Sequence, residues 1–405
     1  MNAPRALAIG AGLRAADALG PLEAALGGDA PVAPYAADGP APHVVADSRS
    51  PELPDRLALV VGTSGSTGQV KRALLTVDNL VASATATHEV LGGVGSWLLA
   101  MPATHIAGIQ VLVRSLLAGT TPGFLDLETG FTTAGFVDAS SELQRRAPGR
   151  CYTAIVPTQL TRLLDDPASM TALAAYDGVL VGGAATTATV LAAAQHAGIR
   201  IVRTYGMSET AGGCVYDGAP LSVSQVHIDN DHHVVLGGAT VAHGYLGQPG
   251  LTEDAFTIDA DGTRWFRTDD LGALDEDGLL QITGRADDFI NTGGLKVAPG
   301  AVEDAIVRYV PGVRDAVVVG SSHPVWGEAV SAALTLQRGA PVLTLEEVRE
   351  GLRGLLPDHA LPHRVLLLDA IPQRGPGKPD RRALVAAFEA QAGDETMGTE
   401  PGRRT

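Results

Sequence analysis

The chain of 405 residues carries a net charge of −16, with 45% apolar and 18% charged residues. This length suits two or three domains with a sizeable core, and the acidic balance argues against nucleic acids and anionic membranes as partners. Two cysteines, no metal-binding cysteine pair, no run of about 18 apolar residues and no signal-peptide pattern predict a cytoplasmic protein without stable membrane insertion.

The first strong feature is a loop rich in glycine and hydroxyl groups after an apolar run. A helix is expected over residues 15–26 and a loop beyond it, and then the chain reads Leu57-Ala-Leu-Val-Val-Gly-Thr-Ser-Gly-Ser-Thr-Gly-Gln-Val-Lys71. Glycines let backbone N–H groups approach a ligand, and the hydroxyls and the lysine add donors and a point charge. The pattern suits a polyphosphate, although it lacks the Walker A spacing. Residues 72–76 read as a strand, so the loop closes a hairpin. A solvated turn is the alternative for this loop taken alone.

Lysine is rare in this chain, which has 26 arginines and only Lys71, Lys296 and Lys378. Each of the three lies within a few residues of a glycine. Lysine offers a compact charge on a slim stem, whereas a surface cation can be either residue. This bias indicates that some of these positions need a point charge, with chance as the alternative for any one of them.

The next segment predicts a helix capped by Asp78 and a strand over residues 97–101. His105 follows this strand, and a further helix carries Gln110 and Arg114. A histidine at a strand end either lines a site or packs in a turn, and the sequence leaves both interpretations open.

A βαβ unit is the clearest pattern in the chain. A strand over residues 178–181, a helix over residues 187–196 and a strand over residues 199–204 lead to Tyr205-Gly-Met-Ser-Glu-Thr210. Ligands collect beyond the carboxyl ends of parallel strands. Tyr205 offers a flat face for a base, Ser208 a hydroxyl and Glu209 a carboxylate suited to Mg²⁺.

Residues 212–283 read as an antiparallel β region with a hairpin at residues 275–278. Within it, Asp269 and Asp270 are expected directly after a strand, where a carboxylate is suited to ribose hydroxyls. Consecutive acids in a turn are more commonly solvated.

After Gly284 the pattern changes to a compact α/β unit. Its predicted elements are a helix over residues 302–309, strands over residues 315–320 and 329–336, a helix from Thr344 with Glu347 in a capping box, and a strand over residues 365–369. Lys378 lies in the glycine-proline loop that follows. We therefore expect a large domain over residues 1–284, a small domain over residues 285–391 and a disordered tail over residues 392–405.

Four features occur in a fixed order: the glycine loop, the Tyr205–Glu209 turn, the Thr268-Asp-Asp-Leu271 segment with Arg285, and the Gly-Lys loop. In this order they resemble the adenylate-forming superfamily of acyl-CoA synthetases, adenylation domains and luciferases, over most of residues 57–391. The resemblance implies an α/β fold, with a large N-terminal domain of α/β sheets plus a β region and a small, mobile α+β C-terminal domain.

Within this superfamily, two segments are similar to the bacterial o-succinylbenzoate–CoA ligases of menaquinone biosynthesis. They are Met101-Pro-Ala-Thr-His-Ile-Ala-Gly108 and the run from Tyr205 to Leu221. The resemblance implies an AMP-forming acid–thiol ligase that uses ATP, CoA, a small carboxylic acid and Mg²⁺. A CoA ligase for another aryl or medium-chain acid, and a non-catalytic nucleotide-binding or carrier-docking homologue, are the alternatives. The oligomeric state, monomer or homo-oligomer, is left open.

The resemblance also implies roles for matching positions. The phosphates of ATP would contact Thr63, Ser64, Gly65, Ser66, Thr67, Gly68 and Lys71. Adenine and the α-phosphate would contact Gly183, Ala184, Tyr205, Gly206 and Ser208. Thr67 and Glu209 would bind Mg²⁺, and Asp270 and Arg285 would bind the ribose. Asp287 would be the hinge, Gly293 and Gly294 would line the CoA tunnel, and His105, Gly212 and Gly213 would border the acid pocket. Because o-succinylbenzoate carries a second carboxylate, the pocket also calls for a cation, and Arg114 is the candidate, with a surface charge or an inter-helix ion pair as the alternative. Lys378, Glu209 and His105 are the candidate catalytic residues. Cys214 is interpreted as a small wall residue.

The chemistry suits these residue types. A carboxylic acid is ionised at pH 7, so its attack on the α-phosphorus needs charge neutralisation and alignment instead of a general base. Two departures from the family pattern are visible, Val70-Lys71-Arg72 in place of Pro-Lys-Gly and Asp269 in place of glycine. Neither removes a charged group that the reaction needs, so we expect an active enzyme.

Overall fold

The computed structural model describes residues 3–42, 44, 53–63, 71–374 and 377–397, the last six by their backbone only. By its internal contacts the chain divides into two compact units. The first comprises the described residues up to Thr268 together with Leu274–Gln281, and the second comprises Asp269–Ala273 and the described residues from Ile282 onward. The predicted boundary after residue 284 stays a prediction.

Strands and helices largely alternate up to residue 207, and beyond it strands predominate. The strands are β1 (Arg5–Ile9), β2 (Val32–Ala36), β3 (Leu57–Gly62), β4 (Arg72–Thr76), β5 (Ser96–Leu99), β6 (Gly123–Phe124), β7 (Cys151–Ile155), β8 (Gly178–Gly182), β9 (Ile201–Met207), β10 (Gly212–Tyr216), β11 (Ala219–Pro220), β12 (Ser224–Ile228), β13 (His233–Gly238), β14 (Phe256–Ile258), β15 (Arg264–Leu274), β16 (Leu280–Arg285), β17 (Ile290–Thr292), β18 (Leu295–Val297), β19 (Val313–His323), β20 (Gly327–Leu336) and β21 (Arg364–Leu367). The helices are α1 (Leu19–Leu26), α2 (Val77–Val90), α3 (Ile106–Leu117), α4 (Thr133–Arg146), α5 (Pro157–Leu164), α6 (Pro167–Ala174), α7 (Ala188–His196), α8 (Pro249–Ala255), α9 (Pro299–Tyr309), α10 (Leu345–Leu352) and α11 (Arg381–Met397). No helix of the described residues is long and apolar enough to cross a membrane.

The first unit is built on a four-stranded sheet in the order β1-β2-β3-β4 and a seven-stranded sheet in the order β11-β10-β9-β8-β7-β5-β6. Strands β5 to β9 are parallel to their neighbours, and β10 turns back antiparallel to β9. Strands β3 and β8 are buried along nearly their whole length, as expected for strands covered on both faces. This arrangement confirms the predicted βαβ unit and places the ends of β8 and β9 side by side.

Two expectations near the N-terminus are wrong. Strand β2 occupies part of the predicted loop, where it pairs with β1. It pairs with β3 only at Val32, so Pro34, which lacks an N–H, removes no hydrogen bond between β2 and β3. The predicted helix over residues 15–26 is a 3₁₀ turn (Gly12–Ala18) followed by α1. Because Pro21 lacks an N–H, it is tolerated in the first turn of a helix, and the α-helix therefore begins at Leu19.

The cap of α2 also differs from the prediction. Thr76, and not Asp78, is the N-cap. Thr76 Oγ1 accepts from the Asn79 N–H, and Asn79 Oδ1 accepts from the Thr76 N–H, which completes a capping box. Asp78 lies in the first turn, where a carboxylate interacts favourably with the helix dipole, and pairs with Arg56.

A third sheet has the order β12-β13-β15-β14, with β16 on β15. The three boundaries between the units, after Thr268, Ala273 and Gln281, fall within β15 and β16. The sheet of the second unit has the order β18-β17-β20-β19, with β21 beside β20. Helix α9 packs on β19, and the capping box of Thr344 and Glu347 is confirmed. Helix α11 continues to Met397, within the tail that was expected to be disordered, and the predicted bounds of that tail stay a prediction. Residues 398–405 lie outside the described part.

Candidate functional site

The glycine loop lies between two paired strands, as predicted. Gly62 of β3 lies opposite Arg72 of β4, and the Thr63 N–H donates to the Lys71 carbonyl at 2.9 Å. This closes the hairpin at the foot of the loop and fixes where Lys71 emerges. Ser64, Gly65, Ser66, Thr67 and Gly68 lie outside the described residues.

Lys71 lies near a buried tyrosine that the sequence analysis missed. The Lys71 ammonium is 5.3 Å from the centre of the Tyr245 ring, and the Tyr245 hydroxyl lies 2.9 Å from Oε1 of Glu209. Tyr245 and Glu209 are only 2% and 7% exposed. A cation, an aromatic ring and a carboxylate from three parts of the sequence therefore meet at one point. The sequence around this tyrosine carries no pattern that marks it as a site residue.

The turn after β9 places its side chains through an unusual backbone path. Ser208–Thr210 form a 3₁₀ turn, and Ala211 and Gly212 then take left-handed conformations with φ of 52° and 98°. A Cβ on Gly206 would lie 2.1 Å from the Gly212 carbonyl oxygen, so only glycine fits there. Ser208 donates from Oγ to the Gly62 carbonyl at 3.2 Å, which joins this turn to the foot of the glycine loop.

The candidate adenine contacts follow neighbouring strands. Gly183 and Ala184 come directly after β8, and Tyr205 lies in β9, with Gly182 opposite Thr204 in parallel register. The prediction that Tyr205 lies in a loop is wrong, because β9 continues to Met207 and pairs with β10. Tyr205 nevertheless lies near the carboxyl end of β9, beside the end of β8 that Gly183 follows.

Helix α3 faces the Gly212 turn. His105 is its N-cap residue, with extended backbone. Gln110 is fully buried; it donates from Nε2 to the Ala211 carbonyl at 2.7 Å, and its Cγ would lie 3.4 Å from a Cβ on Gly212. Gln110 Oε1 has no hydrogen-bond partner among the described residues. Gln110 thus packs beside Gly212, and it was not among the residues predicted to line the acid pocket.

Arg114 lies one helical turn beyond Gln110 on the same face of α3. Its side chain is 3% exposed, stacks 5.0 Å from the Trp97 ring and lies 3.5 Å from the Tyr216 hydroxyl. Within the described part of the chain, no carboxylate pairs with it and its Nε–H has no partner. Burial lowers the pKa of Arg114, and guanidinium still stays charged at neutral pH.

Two buried titratable groups in this part of the first unit, His88 and Cys214, are neutral at pH 7. Burial, followed by the charge of Arg114, lowers the pKa of His88 to about 4, and the Trp97 indole N–H donates to His88 Nε2 at 3.2 Å. Cys214, on the strand beside Gly213, is buried, which raises the pKa of its thiol to about 12. A thiol of this kind is a poor nucleophile, in agreement with its interpretation as a wall residue.

The candidate ribose pair belongs to the second unit. Asp270 is 9% exposed and accepts from Arg285 Nη1 at 3.0 Å, while Asp287 accepts from Arg285 Nε at 2.9 Å and from Nη2 at 3.1 Å. Burial lowers the pKa of Arg285, but Asp287, Asp270 and Asp269 together raise it above its ordinary value. Asp269 and Asp270 lie within β15 and not after a strand as expected, because the alternation of exposed and buried residues continues through them.

The remaining predicted residues also lie in the second unit. Gly293 and Gly294 have φ of 59° and 86°, and the Gly293 N–H donates to the Trp326 carbonyl at 3.0 Å. Lys378 is exposed in the loop before α11, and its carbonyl accepts from the Arg374 N–H at 2.8 Å. The first unit thus brings Lys71, Ser208, Glu209 and Gly212 close together, and the second brings Asp270, Arg285 and Asp287 together.

Comparison with known proteins decides the family. A profile of AMP-binding enzymes matches residues 15–243, and a profile of the AMP-binding enzyme C-terminal domain matches residues 301–378. The chain belongs to the AMP-binding enzyme family. The predicted superfamily, fold class and enzyme class, an AMP-forming acid–thiol ligase, are confirmed.

Individual relatives of the family agree with this assignment. The chain is 45% identical over 343 residues to a probable 2-succinylbenzoate–CoA ligase of Mycobacterium tuberculosis, covering 84% of this chain and 87% of that protein. ATP-bound MatB from Rhodopseudomonas palustris matches with a TM-score of 0.72 and 25% identity over 89% of this chain and 75% of MatB. The o-succinylbenzoate CoA synthetase MenE from Bacillus subtilis, in complex with the acyl-adenylate OSB-AMP, matches with a TM-score of 0.68 and 25% identity over 87% of this chain and 74% of MenE. The same enzyme in complex with ATP and a magnesium ion matches with a TM-score of 0.67 at the same identity, covering 87% of this chain and 75% of that chain.

Proposed function

We propose that this AMP-binding enzyme joins 2-succinylbenzoate to CoA, with release of AMP and diphosphate, through an acyl-adenylate. The observation that carries the choice of acid is Arg114, a buried cation for which the described residues supply no carboxylate. An uncompensated buried charge is costly, so a site that keeps one is suited to a ligand that brings the opposite charge. 2-Succinylbenzoate carries a second carboxylate besides the one that is activated.

The position of Arg114 suits this role. It lies one turn beyond Gln110, which borders Gly212, so the α3 face runs from the pocket wall to the cation. Gly212 and Gly213, which carry no side chains, would border the flat ring between the two ends of the acid. The activated carboxylate would lie toward Ser208 and Glu209, and the aromatic carboxylate toward Arg114. His105, at the start of α3, would border the entrance of the same pocket.

During adenylation, separate groups of the chain would neutralise the charges on ATP and on the acid. Lys71 and the hydroxyls of the glycine loop would neutralise the β- and γ-phosphates, and Ser208 would donate to the α-phosphate. Asp270, held by Arg285, would accept from the ribose hydroxyls, and Gly183, Ala184 and Tyr205 would border adenine. Lys378 would bring a point charge to the acyl carboxylate and the α-phosphate as the bond between them forms and diphosphate leaves.

The donor set fits Mg²⁺. One buried carboxylate, Glu209, matches an ion that proteins usually hold by one or two carboxylates together with substrate phosphates. Among the described residues no cage of three or more His, Cys, Asp or Glu side chains is present. Glu209, with Thr67, would hold the ion, which neutralises charge on the phosphates when bound. The Tyr245 hydroxyl fixes the orientation of the Glu209 carboxylate.

The second half-reaction requires different groups at the same carbonyl carbon. The CoA thiol attacks the acyl-adenylate, the thioester bond forms and AMP leaves with the electron pair of the broken C–O bond. A rotation of the small domain about Asp287 would withdraw Lys378 and bring Gly293 and Gly294 to the CoA chain. This alternation assigns separate purposes to the loop of Lys378 and to the turn that contains Gly293 and Gly294.

A coupled assay with ATP, CoA and a panel of acids tests the proposal. The panel holds 2-succinylbenzoate, its methyl ester at the aromatic carboxylate, 4-phenyl-4-oxobutanoate without that carboxylate, benzoate and octanoate. We expect AMP and CoA-ester formation with 2-succinylbenzoate and a kcat/KM lower by about 100-fold for the two compounds that lack the second charge. CoA esters of benzoate or octanoate, with none from 2-succinylbenzoate, would establish a ligase for another acid. Nucleotide binding without AMP formation from any acid would establish a non-catalytic homologue.

A further inference from the structure

Two consecutive carboxylates at the candidate hinge belong to different ion pairs. Asp287 binds Arg285 through two hydrogen bonds, of 2.9 and 3.1 Å. Asp288 lies 3.5 Å from Nε of Arg381, in the first turn of α11. The backbone of one dipeptide therefore connects the candidate ribose pair with the helix that follows Lys378.

Arg381 is held by three different acceptors. Its Nη2 lies 3.0 Å from Glu303 of α9, its Nη1 donates to the Val318 carbonyl of β19, and its Nε faces Asp288. Glu303 in turn accepts from the Val318 N–H at 2.8 Å. Burial raises the pKa of Glu303, and the charge of Arg381 opposes that rise. Removing the guanidinium would leave a largely buried carboxylate without its main cation.

The loop of Lys378 is joined directly to this arginine. The Asp380 N–H donates to the Pro372 carbonyl at 2.8 Å, and Gln373 pairs with Pro379 in an isolated β-bridge. The Asp380 side chain then accepts from the Ala383 N–H at 3.1 Å and so caps α11. The base of the loop is thus closed, and the first residue after its cap is Arg381.

We propose that Arg381 is a positioning residue for Lys378, fixing the base of the lysine loop against α9, β19 and Asp288, the residue after the candidate hinge Asp287. The inference rests on the proposed function, because it assigns Lys378 to the adenylation step. Lysine at position 381 would not replace the arginine, since one ammonium cannot direct donors to a carbonyl and two carboxylates that lie on separate elements. Arg381 itself touches neither reacting carboxylate nor phosphate in this assignment.

Half-reaction kinetics of Arg381→Met test the inference. Adenylation is measured as acid-dependent ATP–diphosphate exchange, and thioester formation is measured from supplied 2-succinylbenzoyl-adenylate and CoA. We expect adenylation to fall by about 10- to 30-fold, with thioester formation within about threefold of the parent enzyme. Arg381→Lys should show the same split, and Arg382→Met, at the neighbouring exposed arginine, should change neither rate.

A double substitution separates positioning from a general structural role. In the Lys378→Ala background, Arg381→Met should lower adenylation by no more than about twofold, because the two residues act through one group. Equal losses in both half-reactions, or fully additive losses in adenylation, would overturn the inference. Urea denaturation of each variant reports folding separately from the two rates, so equal losses count against the inference only in a folded variant, and a variant that is unfolded is replaced by Arg381→Lys. If Lys378→Ala leaves adenylation intact, the proposed role of the lysine fails, and the inference fails with it for that separate reason.

Discussion

The hydroxyl of Tyr245 lies 2.9 Å from Oε1 of Glu209, and both side chains are buried. The same ring lies 5.3 Å from the ammonium of Lys71. A hydrogen bond to a buried carboxylate is stronger than one between neutral groups and fixes the direction of its lone pairs. Tyr245 therefore links the candidate magnesium ligand to the candidate phosphate ligand.

Tyr245→Phe removes this hydroxyl and keeps the ring under Lys71. We expect kcat/KM for Mg-ATP to fall by about tenfold and the Mg²⁺ concentration for half-maximal activity to rise, because Glu209 loses a donor that orients it. Diphosphate exchange titrated with Mg²⁺ measures both. Tyr309→Phe, at an exposed tyrosine, is the control. An unchanged Mg²⁺ dependence would contradict a role for this hydrogen bond.

Arg114→Met tests the receptor for the second carboxylate. Methionine fills a similar space against Trp97 without a buried charge, so the unliganded protein should unfold at the same or a higher urea concentration. We expect kcat/KM for 2-succinylbenzoate to fall by about 100-fold, while the KM for ATP stays within about twofold. The exposed Arg162→Met is the matched control.

The opposite pattern would reject this role of Arg114. If Arg114→Met unfolds readily and loses activity equally toward 2-succinylbenzoate and toward 4-phenyl-4-oxobutanoate, the arginine serves the fold and not the choice of acid. Tyr216→Phe refines the result, since its hydroxyl lies 3.5 Å from Arg114 Nη2 and bonds to Thr87. A smaller loss, selective for the dicarboxylate, is expected there.

Local patterns in the sequence were sufficient to predict most elements around the site. The apolar run before Gly62 and the strand after Lys71 predicted the hairpin, and the 178–204 segment predicted a βαβ unit, both of which depend on short-range periodicity. Strand β2 was missed because its pairing with β1 is a tertiary contact that outweighs the local effect of Pro34. No periodicity reveals such a contact.

The candidate site also contains residues that local patterns predict and residues that only tertiary contacts bring to it. Ser208 and Glu209 were predicted from one short segment of the sequence. Tyr245 and Gln110 contact that turn from distant segments and have no sequence signature of their own. The partners of Arg381 lie 63, 78 and 93 residues away along the chain, at Val318, Glu303 and Asp288. Only the folded chain shows that these residues are neighbours.

His88 should make the stability of the protein depend on pH. Its pKa is lowered to about 4 from an ordinary value of 6.5, so between these values the unfolded chain binds a proton that the folded chain does not. The free energy of unfolding therefore decreases as the pH falls from 6.5 to 4, by up to about 3 kcal/mol from this group, at about 1.4 kcal/mol per pKa unit. Above pH 6.5 the histidine is neutral in both states, and its contribution is constant.

Urea denaturation of the parent chain and of His88→Gln at pH 7, 6, 5 and 4.5 measures this contribution. Glutamine keeps an acceptor for the Trp97 indole N–H but has no proton to gain. The difference between the two proteins cancels other titrating groups, such as His243 and His363, whose pKa values are also lowered by burial. Curves that remain parallel down to pH 4.5 would show that His88 is protonated equally in both states.

The two adjacent aspartates of β15 are expected to differ sharply in function. The side chain of Asp269 is 64% exposed and lies 3.5 Å from Arg285, whereas that of Asp270 is 12% exposed and lies 3.0 Å from the same guanidinium. An exposed pair of this kind contributes little to stability, so Asp269→Gly, which restores the residue typical of the family, should change kcat/KM for ATP by less than about twofold.

Asp270→Asn should lower kcat/KM for ATP by about 30-fold, because the neutral amide is a weaker acceptor for ribose hydroxyls and no longer pairs with Arg285. Measurement with 2′-deoxy-ATP and 3′-deoxy-ATP identifies the mechanism. The parent enzyme should discriminate against at least one of them, and Asp270→Asn should lose that discrimination while Asp269→Gly retains it. Discrimination that survives in Asp270→Asn would place the ribose contact on another residue and leave Asp270 with the purely structural task of holding Arg285.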